Sequence, residues 1–289
     1  MNRFTSILIG LILLFCGNIL SQDGVFRVMS YNIRYAGDEK IDGENAWSKR
    51  KEQVSTMIRF HKADIIGLQE ALKLQIDDLV QLLPYFEFAG AGRDDGKNKG
   101  EFSVILYNKN KFDELDNGTF WLSETPGVPS KGWDAAFPRI CSWIKLKQKI
   151  TGKVFFIFNT HLDHISQGAR TNGSGLIIDS IIAKGSGYPV ILTGDFNYRQ
   201  SEDGYKKITG GDSPMKDAQF VSKNGHYGSD VTFNNFGKEL TPGNKIDYIF
   251  VNDKISVIEH GVISEMINKM YPSDHMPVVA EVEISNSKD

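Results

Sequence analysis

Ten short apolar or alternating runs recur along this chain: Val25 to Asn32, Asp64 to Glu70, Tyr85 to Gly90, Phe102 to Asn108, Ile140 to Leu146, Val154 to Thr160, Pro189 to Gly194, Lys245 to Val251, Ser256 to Ile263 and Pro277 to Ile284. Runs of this length and pattern predict strands. Helical patterns lie between some of them, over Trp47 to His61, Leu72 to Leu83 and Gln167 to Lys184. In the first, Val54, Met57, Ile58 and His61 fall on one face at three- and four-residue spacing, with Lys and Arg opposite. Early strands alternate with helices, whereas several later strands follow one another directly. That mixture predicts an α/β fold of mixed sheets covered by helices. No repeat, heptad array or Pro- or Ser-rich linker divides the chain, so residues 22–289 read as one domain.

Residues 1–21 differ in kind. One cation, Arg3, precedes an apolar run from Ile7 to Phe15 and small or polar residues near Ser21, the layout of a cleaved secretory signal peptide. The run is too short for a comfortable membrane span. Bulky Phe15 before Cys16 argues against lipid anchoring. Cleavage would leave Cys141 as the sole thiol, without an internal disulfide, and would place the protein outside the cytoplasm. The full chain carries 33 Lys and Arg against 36 Asp and Glu; without Arg3 the balance is 32 against 36, a net charge of −4. Such a surface disfavours tight, non-specific duplex binding, which relies on many cations against phosphates.

Chemistry concentrates at the ends of the predicted strands. The run YPVILTGDFN closes on Asp195 and Asn197, which alternation puts on one face while Phe196 points inward. Elsewhere RVMSYNIRY ends on Asn32 and Arg34, DIIGLQE on Glu70, and FFIFNTHLDH on Asn159, His161 and Asp163. KIDYIFV holds Asp247 inside an apolar run, and YPSDHMPV supplies Asp274 and His275. A carboxylate such as Asp247 between Ile246 and Tyr248 is costly unless it finds a partner.

The ordered set YNIR, LQE, NTHLDH, GDFN, KIDYIF and SDHMPV, spanning Val25 to Val279, resembles the endonuclease/exonuclease/phosphatase superfamily. The combination of HLDH with GRDDG and GEFSVILY is similar to its deadenylase-like and uncharacterised exported branches. The resemblance implies a four-layer sandwich, two mixed β-sheets packed face to face with helices outside, and metal-dependent phosphoester hydrolysis. It assigns Glu70 as leading metal ligand, with Asn32 and Asp274 beside the ion. Oxygen ligands suit Mg2+, with Mn2+ as an alternative, and leave open whether one ion or two act. Asp195 matches the aspartate that activates or orients water, and Asn197 an amide donor to a phosphoryl oxygen. His161 and His275 match two phosphate-contacting histidines, with Asp247 orienting one of them.

Around these, Arg34, Arg93, Arg139 and Arg170 are candidate phosphate contacts. Tyr107 and His164 are further substrate-binding candidates, and Trp47, Arg50, Glu101 and Trp143 lie in segments expected at the cleft mouth. Asp163 has either a cleft or a loop-stabilising role; His61 reads as structural, and His226 and His260 match no motif. The resulting expectation is an exported phosphodiesterase acting on RNA, single-stranded nucleic acid or nucleotides, as a monomer without a stable protein partner. The alternative keeps the chemistry and takes a lipid headgroup or a sugar or inositol phosphate. A non-catalytic phosphate-binding module is the remote alternative, since such a module predicts an eroded site.

Overall fold

The structure is a computed structural model that describes residues 24–285, so the proposed signal segment lies outside the described residues. The chain runs through β1 (Val25–Asn32), α1 (Glu39–Asp42), α2 (Trp47–Phe60), β2 (Ile65–Ala71), α3 (Lys73–Leu82), β3 (Phe86–Ala89), β4 (Phe102–Asn108), β5 (Phe112–Trp121), β6 (Ile140–Gln148) and β7 (Val154–His161). It continues with α4 (Gln167–Gly185), β8 (Val190–Asp195), α5 (Asp203–Thr209), β9 (Lys216–Asp217), α6 (Ala218–Val221), β10 (His226–Gly228), β11 (Asp247–Val251), β12 (Ile255–Val262) and β13 (Val278–Ile284).

The strands form two mixed sheets, one of seven in the order β10-β12-β13-β1-β2-β4-β3 and one of six in the order β5-β6-β7-β8-β11-β9. Three buried apolar clusters explain the layering. Val28, Ile65 and Ile105 of the first sheet meet Ile157, Ile191 and Ile249 of the second. The outer face of the first sheet, through Met29, Tyr31, Ile66 and Leu68, packs on Val54, Met57 and Ile58 of α2 and Ile76 and Leu79 of α3. Phe158, Leu192 and Phe250 face outward from the second sheet onto Ile177 and Ile181 of α4 and Ile208 of α5. This is the four-layer sandwich, and each apolar strand is covered on both faces, which is why so many read as continuous apolar runs.

All ten sequence-predicted strands are present, with ends shifted by a residue or two, as are the three helices. β5 escapes sequence reading because FDELDNGTFW lies at the sheet edge, exposed along much of its length, and carries a register shift between Glu114 and Asp116. An edge strand without a buried face has no alternation to display. The short elements α1, α5, α6, β9 and β10 likewise offer too few residues for a period.

Following the inter-sheet face along each strand leads from apolar to polar. Val28 is followed by Ser30 and Asn32, Ile65 by Gly67 and Gln69, Ile157 by Asn159 and His161, and Ile191 by Thr193 and Asp195. Antiparallel β11 runs the other way, from Asp247 to Ile249. The polar ends coincide because the register places His161 and Asp247 both opposite Asp195. Below them a buried layer stitches the sheets: Gln69 donates to Asn159 Oδ1 at 2.7 Å, Thr193 donates to the same oxygen at 3.0 Å, and Asn159 Nδ2 donates to Leu68 O and Val104 O. Gly67 permits this closeness, since a Cβ there would overlap Thr193 Oγ1 and lie 2.6 Å from Asn159 Oδ1.

Candidate active site

The polar strand ends open into a cleft of about 720 Å³ lined by Glu70, His161, Asp195, Asn197, Asp274 and His275, among others. Asn32 lies beneath, fully buried. Its Nδ2 donates to Glu70 Oε1 at 3.1 Å and to Asp195 Oδ2 at 2.9 Å, while its Oδ1 accepts the Arg34 N–H at 3.0 Å. Asn32, expected beside the ion, thus holds the two carboxylates in place through its amide nitrogen, while its amide oxygen accepts from the backbone.

Strict alternation would turn Glu70 outward with Leu68. The β2–β4 register breaks between Leu68 and Ala71, and Glu70 adopts φ 61°, which redirects its carboxylate into the cleft. The Tyr35 N–H fixes Oε2 at 3.1 Å. Arg34 and Asn197, at two other strand exits, also have positive φ, 55° and 50°. Three non-glycine residues in this sparsely populated region, each costing on the order of 1–3 kcal/mol, mark backbone held in place by its surroundings. Arg50 contributes to that hold. Expected at the cleft mouth, it is instead fully buried, donating from Nη1 to Ile33 O and Pro272 O and from Nε to Asn45 O. It thereby ties the exit of β1 to the segment that carries Asp274 and His275.

Asp195 Oδ1 accepts the Asn197 N–H at 3.0 Å, and its Oδ2 lies 3.5 Å from His161 Nε2 and 3.7 Å from His275 Nε2. Burial, reinforced by the charge of Asp247, pushes the Asp195 carboxyl up; His275, Asn32 and the Asn197 N–H pull against that rise. The two histidines diverge. Burial would push His275 down, but the charges of Asp247 and Asp195 and the 2.9 Å hydrogen bond from Nδ1 to Asp247 Oδ2 outweigh it and hold the imidazole up at about 10. Burial, with Arg139 and Arg93 nearby, pushes His161 well down, so it is neutral. Asn197 Nδ2 donates to Leu162 O and faces His161 Nε2 at 3.1 Å, which makes Nε2 the acceptor and leaves the proton on Nδ1.

Asp195, Asp247 and His275 offer ligand atoms that all lie within 4.8 Å of one another, close enough to share a metal ion. The same atoms already make a hydrogen-bonded, imidazolium-containing chain, which competes with a cation there. Glu70 and Asp274 provide the other oxygen-rich flank. Arg34 lies 3.6 Å from Glu70 and 3.9 Å from Asp274. Burial first, and then the charge of Glu70, raises the Asp274 carboxyl, while His275 and Arg34 oppose the rise. Crowded hard oxygens of this kind fit a divalent cation.

Arg93, Arg139 and His164 line the same cleft, beside His161. Four candidates do not. The Tyr107 hydroxyl bonds Glu87 and Glu114 at the far end of β4, where its ring joins the inter-sheet core. Arg170 is turned to Asp163 O at 3.1 Å and Glu202 at 3.0 Å. Trp47 and Trp143 are packed in the outer cores, away from the cleft. Asp163 is a loop hub: it accepts the N–H groups of Ala136, Ile165 and Ser166 and pairs with Arg139 at 3.4 Å. Phe233, whose ring meets His275 edge-on at 5.1 Å, carries no signal in the sequence because it lies outside any periodic run.

Residues 29–275 match the Endonuclease/Exonuclease/phosphatase family. A crystal structure of a protein of that family from Bacteroides thetaiotaomicron is 39% identical, with a TM-score of 0.86 over 91% of this chain and 98% of that one. A mannosyl-6-phosphatase from the same organism is also 39% identical, with a TM-score of 0.84 over 89% of this chain and 99% of that one. The human nocturnin catalytic domain shares the fold at 20% identity, with a TM-score of 0.71 over 91% of this chain and 94% of its own.

Proposed function

The chain belongs to the endonuclease/exonuclease/phosphatase family and is a phosphoesterase of it, and from that premise we propose that it hydrolyses the phosphate monoester of a sugar in a Mg2+- or Mn2+-dependent reaction. The observation that carries the sugar phosphate is the 39% identity to the mannosyl-6-phosphatase across nearly the full length of both chains. Likeness to nocturnin, at 20% identity, speaks for the fold alone, so the nucleic-acid expectation has less support than its sugar-phosphate alternative. The signal-like residues 1–21 favour action outside the cytoplasm.

In this reading Asp195 accepts the proton of the attacking water, its raised pKa bringing it nearer the operating pH. His275, protonated and held through Nδ1 by Asp247, stabilises negative charge gained by the phosphoryl oxygens. Asn197 fixes the Asp195 carboxylate through its N–H and meets neutral His161 through Nδ2. Glu70 and Asp274 would hold the cation, and the chemistry it supplies when bound is polarisation of a phosphoryl oxygen and a lowered pKa for water.

The test is turnover of mannose 6-phosphate, glycerol phosphate and a single-stranded oligonucleotide by purified protein with Mg2+. Mannose 6-phosphate is expected to be hydrolysed, and Asp195→Asn to lose about 10²–10⁴-fold in kcat. Cleavage of the oligonucleotide without turnover of either monoester overturns the proposal.

A further inference from the structure

One wall of the cleft takes no part in the chemistry described above. It consists of Arg93, Phe137, Arg139 and His164, from the loops that follow β3, β5 and β7. These side chains are interlocked. The Arg93 guanidinium lies 5.1 Å from the Phe137 ring centroid, and Phe137 stacks on His164 at 6.1 Å and 15°. Arg139 Nη2 meets His164 Nδ1 at 3.0 Å. Arginine can only donate, so Nδ1 is the acceptor and the neutral ring carries its proton on Nε2.

The charges of this wall are already paired. Arg93 Nη1 donates to Glu101 at 2.8 Å, and Arg139 Nε to Asp163 at 3.4 Å. A track for a polyphosphate backbone needs cations free to replace counterions. The Arg93–Glu101 pair, which lines the cleft, instead offers donors beside an acceptor, the mixture that adjacent hydroxyl groups satisfy. Phe137 supplies the apolar component: 49% exposed within a concave site, its ring is fixed by its neighbours and still has area to give a ligand.

We infer that this wall receives the neutral, hydroxyl-bearing ring of the substrate's leaving group, with Phe137 as the specificity-determining side chain on which a sugar ring lies. The inference rests on the sugar-phosphate reading and deepens it by assigning the residues that recognise the sugar.

The experiment compares wild type, Phe137→Ala and Phe137→Tyr, all with Mg2+, on mannose 6-phosphate, glycerol phosphate and a nucleoside 5′-monophosphate. Phe137→Ala is expected to raise KM for mannose 6-phosphate, so that its loss of kcat/KM there exceeds its loss on glycerol phosphate by about tenfold, equivalent to about 1.4 kcal/mol. Phe137→Tyr, which keeps the ring, is expected to restore most of that preference. Parallel losses on mannose 6-phosphate and glycerol phosphate, or no loss on either, overturn the inference, as does a loss confined to the nucleotide. Failure of the parent reading is visible separately in the wild type, as absence of turnover of mannose 6-phosphate.

Discussion

His161 and His275 approach the same carboxylate, Asp195, at 3.5 and 3.7 Å, yet their surroundings give them opposite protonation. His275 is clamped to Asp247, while His161 stands near two guanidinium groups. A raised His275 contributes stability that is fully present below its ordinary pKa of 6.5, declines as pH rises, and is lost through about 10. The stability advantage of wild type over His275→Gln, measured by urea unfolding, is therefore expected to be largest near pH 6 and to shrink toward about pH 10. A constant difference across that range would mean that the imidazolium is not the source. Sequence singled out both histidines and Asp247, but not the difference in charge. That difference comes from groups brought near by chain folding, Arg93 and Arg139 on one side and Asp247 on the other.

At the scale of strands, the site depends on where the ladders end. Alternation put Asn159 and His161 on the inter-sheet face, as their spacing indicated, but Asn197 and Asp163, expected to continue the alternation of Asp195 and His161, lie beyond the ends of β8 and β7, Asn197 at φ 50°. Within the strands alternation holds up to the functional residue. Glu70 is the exception, reached only through a break in register and a positive φ that no period reports. The sheets must also meet closely beneath the cleft, and Gly67 is the point of closest approach to Thr193 and Asn159. Gly67→Ala is expected to cost about 1–3 kcal/mol or more, because its methyl would enter space already held by hydrogen-bonded side chains. The same substitution should lower kcat/KM by moving β2, and with it Glu70, away from Asp195. Urea unfolding and steady-state kinetics measure the two effects, and an unaltered midpoint would refute the close contact.

For the whole molecule, four distant segments bring Glu70, Asp195, Asp247 and Asp274 together, and a cation that binds only the folded chain must stabilise it. Adding Mg2+ is expected to raise Tm, by an amount equivalent to about 2.7 kcal/mol when its concentration is a hundred times Kd. Glu70→Gln should abolish most of that rise, and an equal rise in the variant would remove Glu70 from the cation site. No helix among the described residues is long and apolar enough to cross a membrane. Arg50, Tyr107 and Arg170 mark the limit of reading at this scale. Each is a polar residue close in sequence to a functional segment, but Arg50 is consumed by carbonyls, Tyr107 sits at the wrong end of its strand, and Arg170 is tied to Glu202.

The amino-acid sequence by itself determined the layered α/β architecture and the chemical inventory of the cleft, because period and residue type are local properties of the chain. Only the tertiary structure decided which carboxylates crowd, which histidine is charged, and which arginines are already neutralised. Those outcomes depend on distances of a few ångströms between strands far apart in sequence, where burial makes each charge answer to its neighbours.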